Sequence, residues 1–422
     1  MRPFITSLPF RRLAVVLFAL GLAAPLAVAS SRPALQVRSG LPHLASAPTQ
    51  LRVAYLGGSI TAAQDGWRTL TTDRLRLRFS TTAIFEISAG LPGTGSDLGA
   101  CRLARDILRH QPDLLFVEFA VNDANTPPDR IERTIEGIVR QTWAAYPAAD
   151  IFFVYTVSTP GLPDLEAGRF PPAALAMERV AAHYGIPSLH FGVEVARLAA
   201  AGEIVFRDPA TPSDPRTFSL DGVHPTTSGH RLYADILERA LSTILPQSSA
   251  RSPLPPPLHA DNWETAQLHE LDPSMFQGEW TPVAHDDPDL RGATPSLLPP
   301  TFRTASPGGS LVFEFTGRSF GLLGIAAPDN GEFRVTIDDL APITTTFFDA
   351  FVSPTFCRQR PWFYPHELPP GRHRVRVELL DTRLDKAAIK ATRSPGPLAD
   401  SERYEPHRLT LSGVLTVGHD TP

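Results

Sequence analysis

Four short stretches carry the residue types that acyl transfer needs. In "VAYLGGSIT", residues 53–61, an apolar run stops at Gly57 and Gly58 and delivers Ser59. Side-chain-free residues at that point let another group, or a substrate, approach the backbone closely. Ser59 is open to three readings: a nucleophile, a helix cap, or part of a loop that cradles phosphate. The stretch lacks both the G-x-x-x-x-G-K-S/T and the G-x-G-x-x-G spacing, which argues against phosphate. In "LDGVHPTTSGH", residues 220–230, Asp221 and His224 stand three apart ahead of a helical pattern. One turn of compact chain brings both side chains to one side. The carboxylate can then hold the imidazole Nδ1 proton and leave Nε2 to accept a proton from a hydroxyl. An Asx-type turn with an exposed His before Pro225 is the plainer alternative. His230 is a rival base, but it falls within the helical pattern, where it faces solvent or packs locally.

Two further segments supply donors. Asn122, in "FAVNDAN", offers a neutral NH₂ at the end of an apolar run, although Asn-Asp there also suits an ordinary turn. Gly93, in "SAGLPGTGS", can present a bare backbone N–H, or simply sit in a flexible loop. Taken singly each segment is ambiguous. Jointly they provide a nucleophile, a base, an orienter of that base and donors for an oxyanion.

These residues need a scaffold that gathers strand ends. From residue 51 to 245, short runs rich in Val, Ile and Phe alternate with helical patterns. The runs are 51–56, 83–88, 113–119 and 151–156. Ile131, Ile135, Ile138 and Trp143 share one helix face, with Asp129 as a candidate cap, and Thr226 or Thr227 starts a last helix. Alternation of this kind predicts a parallel sheet covered on both faces, with its ligand crevice outside the carboxyl ends of the strands. Residues 246–272 are rich in Pro and Ser and read as a semi-rigid linker. Beyond it, 310–317, 331–338, 373–380 and 408–417 alternate with period two, the pattern of an antiparallel β-sandwich over 273–422.

Composition narrows the class. The 422 residues suit two domains, and 42% hydrophobic with 20% charged residues is ordinary for a globular chain. The 43 prolines favour loops over long helices. A formal net charge of −5 and the lack of a basic stretch argue against nucleic acid. Residues 1–29 read as a signal peptide, with Arg2, Arg11 and Arg12 ahead of an apolar run that ends in Ala27-Val28-Ala29. A retained membrane anchor is the alternative. No other apolar run is long enough to span a bilayer, so no stable membrane insertion is expected after cleavage. Residues 30–50 read as a leader segment before the catalytic domain. Cys101 and Cys357 fall in different domains and are expected as free or buried thiols. No metal-ligand cluster is legible, and the chemistry calls for no cofactor.

The four segments resemble, in order, the sequence blocks of the SGNH hydrolases, the GDSL-like esterases and lipases. "GGSIT" stands at the Gly-Asp-Ser-Leu block, "GLPGTGS" at the glycine block, "VND" at the asparagine block and "DGVHP" at the Asp-x-x-His block. The resemblance covers residues 50–245. It implies a three-layer α/β/α flavodoxin-like fold. It also implies Ser59 as nucleophile, His224 as base, Asp221 as its orienter, and an oxyanion hole of the Ser59 and Gly93 amides with the Asn122 side chain. Three departures stand out. Gly58 replaces the usual Asp, without expected effect on the chemistry. Ala120 replaces the usual Gly two before Asn122 and would narrow the pocket floor. Ser88 replaces the usual Asn that opens the glycine block. An α/β-hydrolase would show a G-x-S-x-G elbow, and Thr61 stands where its last Gly belongs.

Glu118 interrupts an apolar run, so a partner is expected, with Arg102 or Arg105 as candidates. Asp97 is expected to cap the following helix. In the second domain Trp362, Phe363 and Tyr364 can form a sugar-binding platform or pack in the core. Exported SGNH enzymes joined to β-sandwich modules resemble carbohydrate esterases. The sequence therefore predicts an exported serine esterase acting on acylated carbohydrate or another small ester. A lipase, thioesterase or peptidase-like acylhydrolase and a non-catalytic carbohydrate-binding protein are the alternatives.

Overall fold

The computed structural model describes residues 32–249 and 253–418. The signal peptide expected over residues 1–29 lies outside them.

The apolar runs form a sheet buried on both faces. β1 (Leu35–Gln36), β2 (Gln50–Gly57), β3 (Ala83–Gly90), β4 (Leu114–Glu118), β5 (Asp150–Tyr155) and β6 (Ser188–His190) lie in the order β1-β6-β5-β4-β2-β3. β2 to β6 run parallel, and β1 pairs antiparallel with β6 at the edge. Every residue of β4 and β5 is buried, which is why both read as apolar runs with almost no alternation. Without β1, this is the strand order of the flavodoxin-like doubly wound fold. The helices are α1 (Pro42–Ala45), α2 (Ser59–Ala62), α3 (Trp67–Arg78), α4 (Ser96–Asp106), α5 (Pro128–Ala145), α6 (Leu162–Glu166), α7 (Pro172–Tyr184), α8 (Phe191–Ala200) and α9 (Thr227–Ile244). α4, α5 and α7 form one layer, and α3, α8 and α9 the other. In the core the Tyr55 ring stacks on Phe116 at 5.0 Å, with Trp67 edge-on to both. A small parallel pair, β7 (Val205–Arg207) and β8 (Thr217–Ser219), leads into the Asp221 loop.

Several local expectations are corrected. Residues 30–50, read as a leader, supply β1 and α1, and Asp150 at the start of β5 accepts the Leu44 amide at 2.8 Å. α5 starts at Pro128 without a side-chain cap. Proline suits that position because its missing N–H would be unpaired in any case. Asp129 lies inside the first turn and binds Arg133 at 2.8 Å. α9 does begin as expected, with the Thr226 hydroxyl accepting the Gly229 amide at 3.2 Å.

The second half builds β9 (Ala266–His269), β10 (Phe276–Gln277), β11 (Thr281–Val283), β12 (Thr301–Thr304), β13 (Ser310–Gly317), β14 (Ser319–Ala326), β15 (Glu332–Ile337), β16 (Ile343–Thr346), β17 (Arg358–Phe363), β18 (Gly371–Leu379), α10 (Lys386–Ala391) and β19 (Leu409–Val417). They form two antiparallel sheets, β10-β13-β18-β15-β16 and β11-β12-β19-β14-β17, with β9 added to β19. Alternate residues Phe313, Phe315, Val375 and Val377 of one sheet meet Phe320, Leu322, Leu411 and Val414 of the other. This is the β-sandwich that the period-two pattern predicts.

The stretch read as a linker is docked from its middle onward. The His259 amide binds Glu136 at 2.8 Å, and Trp263 is buried. A β-carbon on Gly137 of α5 would lie 2.4 Å from the Trp263 backbone, so only glycine permits this approach. Leu297, Leu323, Leu415 and Val417 of the sandwich join the same apolar core as the sheet domain. The aromatic triplet is also consumed by packing. Trp362 lies edge-on to Phe320 at 6.0 Å, Tyr364 stacks on Phe320 at 5.6 Å, and Phe363 meets Trp263 at 5.4 Å. Cys101 and Cys357 are both free and buried. Among the described residues no helix is long and apolar enough to cross a membrane.

Candidate active site

β2 has β3 on one side and β4 on the other, so the chain reverses its winding there. That reversal opens a crevice at the carboxyl ends of the strands. Ser59 leaves β2, the Gly93 loop leaves β3 and Asn122 follows β4. The Asp221–His224 segment comes from the far end of the domain, between β8 and α9.

The structure brings Ser59, His224 and Asp221 together. Ser59 Oγ lies 2.8 Å from His224 Nε2, and His224 Nδ1 lies 2.7 Å from Asp221 Oδ2. His224 and Asp221 side chains are about half exposed, at 51% and 54%, so the relay opens to solvent and a bulky substrate can reach it. The loop is held from within. Asp221 Oδ1 accepts the Val223 and His224 amides, each at 2.8 Å, and Ser219 Oγ donates to the His224 carbonyl at 2.8 Å. Gly222, at φ +84°, turns the chain so that its carbonyl accepts the Thr159 amide at 2.8 Å. Burial pushes the Asp221 carboxyl up, but hydrogen bonds from the His224 ring and from the His224 and Val223 amides outweigh it. Its pKa lies well below the usual carboxylate range. His230 takes no part in the relay. It is buried, accepts the Trp67 amide at 3.2 Å, and is held at about 4 by burial and by His224.

Residues 55–232 match the family model described as the GDSL-like lipase/acylhydrolase family. They form a GDSL-like acylhydrolase domain. No curated protein matches the chain. Among solved structures, the chain is similar to a two-domain esterase active on acetylated mannans, co-crystallised with mannopentaose. Identity is 20%, coverage is 92% of this chain and 98% of that one, and the TM-score is 0.71. A second structure of a two-domain esterase active on acetylated mannans gives 19% identity, the same coverage and a TM-score of 0.70. The two-domain fold is shared across nearly the full length of both chains.

Two of the departures in this GDSL-like domain, Gly58 and Ala120, have structural counterparts. A β-carbon on Gly58 would stand 1.9 Å from Asn122 Oδ1. The bare backbone of Gly58 lets the Asn122 side chain close against the serine turn. Ala120 lines a cavity of about 120 Å³ with Thr156, Val157, Ala173 and Ala174 beside the asparagine loop. Gly93 is exposed and sits at φ +71°, a conformation that favours glycine.

Three braces under the site were not legible in the sequence. Glu118 does not pair with Arg102 or Arg105. It accepts the Thr61 hydroxyl at 2.9 Å and the Thr156 hydroxyl at 2.6 Å, and the Gly58 amide also binds it. Burial pushes its pKa up. The carboxyl thereby ties the serine turn to the end of β5. Arg102 instead pairs with Asp106 at 3.1 Å and donates to the Ala89 carbonyl at 2.7 Å. Finally, Asp97 is not the residue before α4 but lies within its first turn, where it accepts the Leu98 amide at 2.7 Å. The Ser96 amide donates to Asp123, the residue after Asn122, while Asp97 binds Arg130 at 3.2 Å. A hydroxyl two residues after Ser59 and an acid directly after Asn122 were the available signals.

Proposed function

We propose that the protein is an exported serine ester hydrolase that removes acetyl groups from O-acetylated carbohydrate. The observation that carries this reading is the relay itself: Ser59 Oγ to His224 Nε2 at 2.8 Å and His224 Nδ1 to Asp221 Oδ2 at 2.7 Å. Such distances suit proton transfer in both directions. In this reading Ser59 Oγ adds to the ester carbonyl while His224 Nε2 takes its proton. The Ser59 and Gly93 amides and the Asn122 side chain hold the oxyanion. Collapse breaks the bond to the sugar oxygen, which takes the proton back from His224 and leaves acetyl-Ser59. Water, losing a proton to His224, then releases acetate and restores the hydroxyl. Two points support a carbohydrate ester: the open relay admits a polymer, and the two-domain fold is shared with an esterase active on acetylated mannans. The signal-like N-terminus supports export. The proposed units are a catalytic domain over 51–245 and an accessory sandwich over 273–422.

Release of p-nitrophenol from p-nitrophenyl acetate, and of acetate from a panel of O-acetylated polysaccharides, tests the reading. Both activities should vanish in Ser59→Ala while its circular dichroism stays unchanged. Retained turnover in that variant removes Ser59 as the nucleophile. No turnover in the wild type favours a binding protein.

A further inference from the structure

The second domain reaches the Gly93 loop with an arginine. Arg358 opens β17, and its Nη1 lies 2.9 Å from the point where a β-carbon of Gly93 would stand. Its other nitrogen binds Asp349, and its side chain is only 14% exposed, so it is braced rather than free-swinging. Next to it stands Phe351, a residue that is 55% exposed. A large exposed aromatic ring is a loss unless something covers it. Two guanidinium groups flank this ring: Arg358 at 5.5 Å and Arg393 at 4.1 Å from its centroid. The loop that carries it is clamped. The Phe351 amide donates to Asp349 at 2.9 Å, and Lys390 Nζ donates to the Ala350 and Val352 carbonyls at 2.9 and 2.7 Å. Arg360, 3.7 Å from Asp349, adds another cation. Arg358 and Arg360 share the Asp349 carboxylate, while Lys390 and Arg393 hold the loop and ring beside it, so four cations meet here on a chain whose formal net charge is −5.

We propose that this patch is a subsite for a carboxylate-bearing sugar: the exposed surface of Phe351 takes the apolar face of the ring, while Arg358 and Arg393 beside it pair with the carboxylate. The patch begins at the Gly93 loop, so the sugar it holds neighbours the acetylated one. The inference rests on the esterase reading and deepens it: the preferred polymer is an O-acetylated acidic polysaccharide, not a neutral one.

Calorimetric titration of the full chain with deacetylated oligosaccharides tests this without turnover. Trigalacturonate should bind about tenfold tighter than mannotriose, with affinity falling as salt rises, as charge pairing at an exposed site requires. Arg393→Gln and Phe351→Ala, both at exposed positions, should each lower the trigalacturonate affinity about fivefold or more. Equal or tighter binding of mannotriose, no binding of either sugar, or unchanged affinity in both variants overturns the subsite. A chain that binds trigalacturonate yet cleaves no ester would keep the subsite and remove the esterase reading. A chain that cleaves acetyl esters but prefers the neutral sugar would do the reverse.

Discussion

Asp123 Oδ1 accepts the backbone amide of Ser96 at 3.1 Å, tying the loop that carries Asn122 to the helix that follows Gly93. Both proposed side donors of the oxyanion hole therefore hang on one buried carboxyl. Burial, and then the charge of Asp97, push its pKa up to about 7. The folded chain holds this proton over a range where the unfolded chain has lost it. Stability from this group is therefore full at acid pH and falls as pH rises toward about 7. Asp123→Asn removes the titration. Urea unfolding should show the variant gaining on the wild type as pH rises from about 4 to about 7. A constant gap across that range would contradict the buried, proton-holding state.

Gly58 and Asn122 form the second pair to test. Gly58→Ala should push Asn122 off its seat, because the added carbon would stand 1.9 Å from Oδ1. We expect kcat to fall by about tenfold or more with little change in KM, toward the 10²–10³-fold loss of a missing oxyanion donor. Asn122→Ala should give that full loss. In the double variant the two losses should not add, since both act on one donor.

Asp221→Asn leaves the loop bonds largely possible but deprives His224 of a carboxylate partner. Turnover of p-nitrophenyl acetate should drop by on the order of 10³–10⁴. The pH direction follows from the lowered pKa of Asp221. Its contribution to stability is present above the ordinary carboxylate pKa and disappears as pH falls through the folded value. Thermal melts of wild type and variant should therefore stay apart at neutral pH and draw together only as the pH falls well below the ordinary carboxylate range.

Glu118→Ala would strand the Thr61 and Thr156 hydroxyls and the Gly58 amide in a dry interior. A loss of about 2–4 kcal/mol in chemical denaturation is expected, at the scale of a broken buried network. Glu118→Gln keeps an acceptor and should recover part of it. If both variants melt like the wild type, the carboxyl is not the brace described.

Short-range chemistry in the chain determined much of this molecule. Apolar runs bounded by Gly and Pro marked β2 to β5, period-two alternation marked β13, β15, β18 and β19 but not β14, and Thr226 marked the start of α9. The four site segments were readable because each lies within a few residues of a strand end or helix start, where glycine, Asn and Asp are locally required. What the folded chain decided were contacts between residues far apart in sequence. Glu118 took hydroxyls from Thr61 and Thr156 in place of an arginine, because those were the donors at its depth. Asp123 took the Ser96 amide from 27 residues away, and Arg358 arrived beside Gly93 from another domain. Periodicity records which face of an element is buried but carries no information on what that face meets. A buried polar group takes whichever partner the packing of distant segments brings within hydrogen-bond reach.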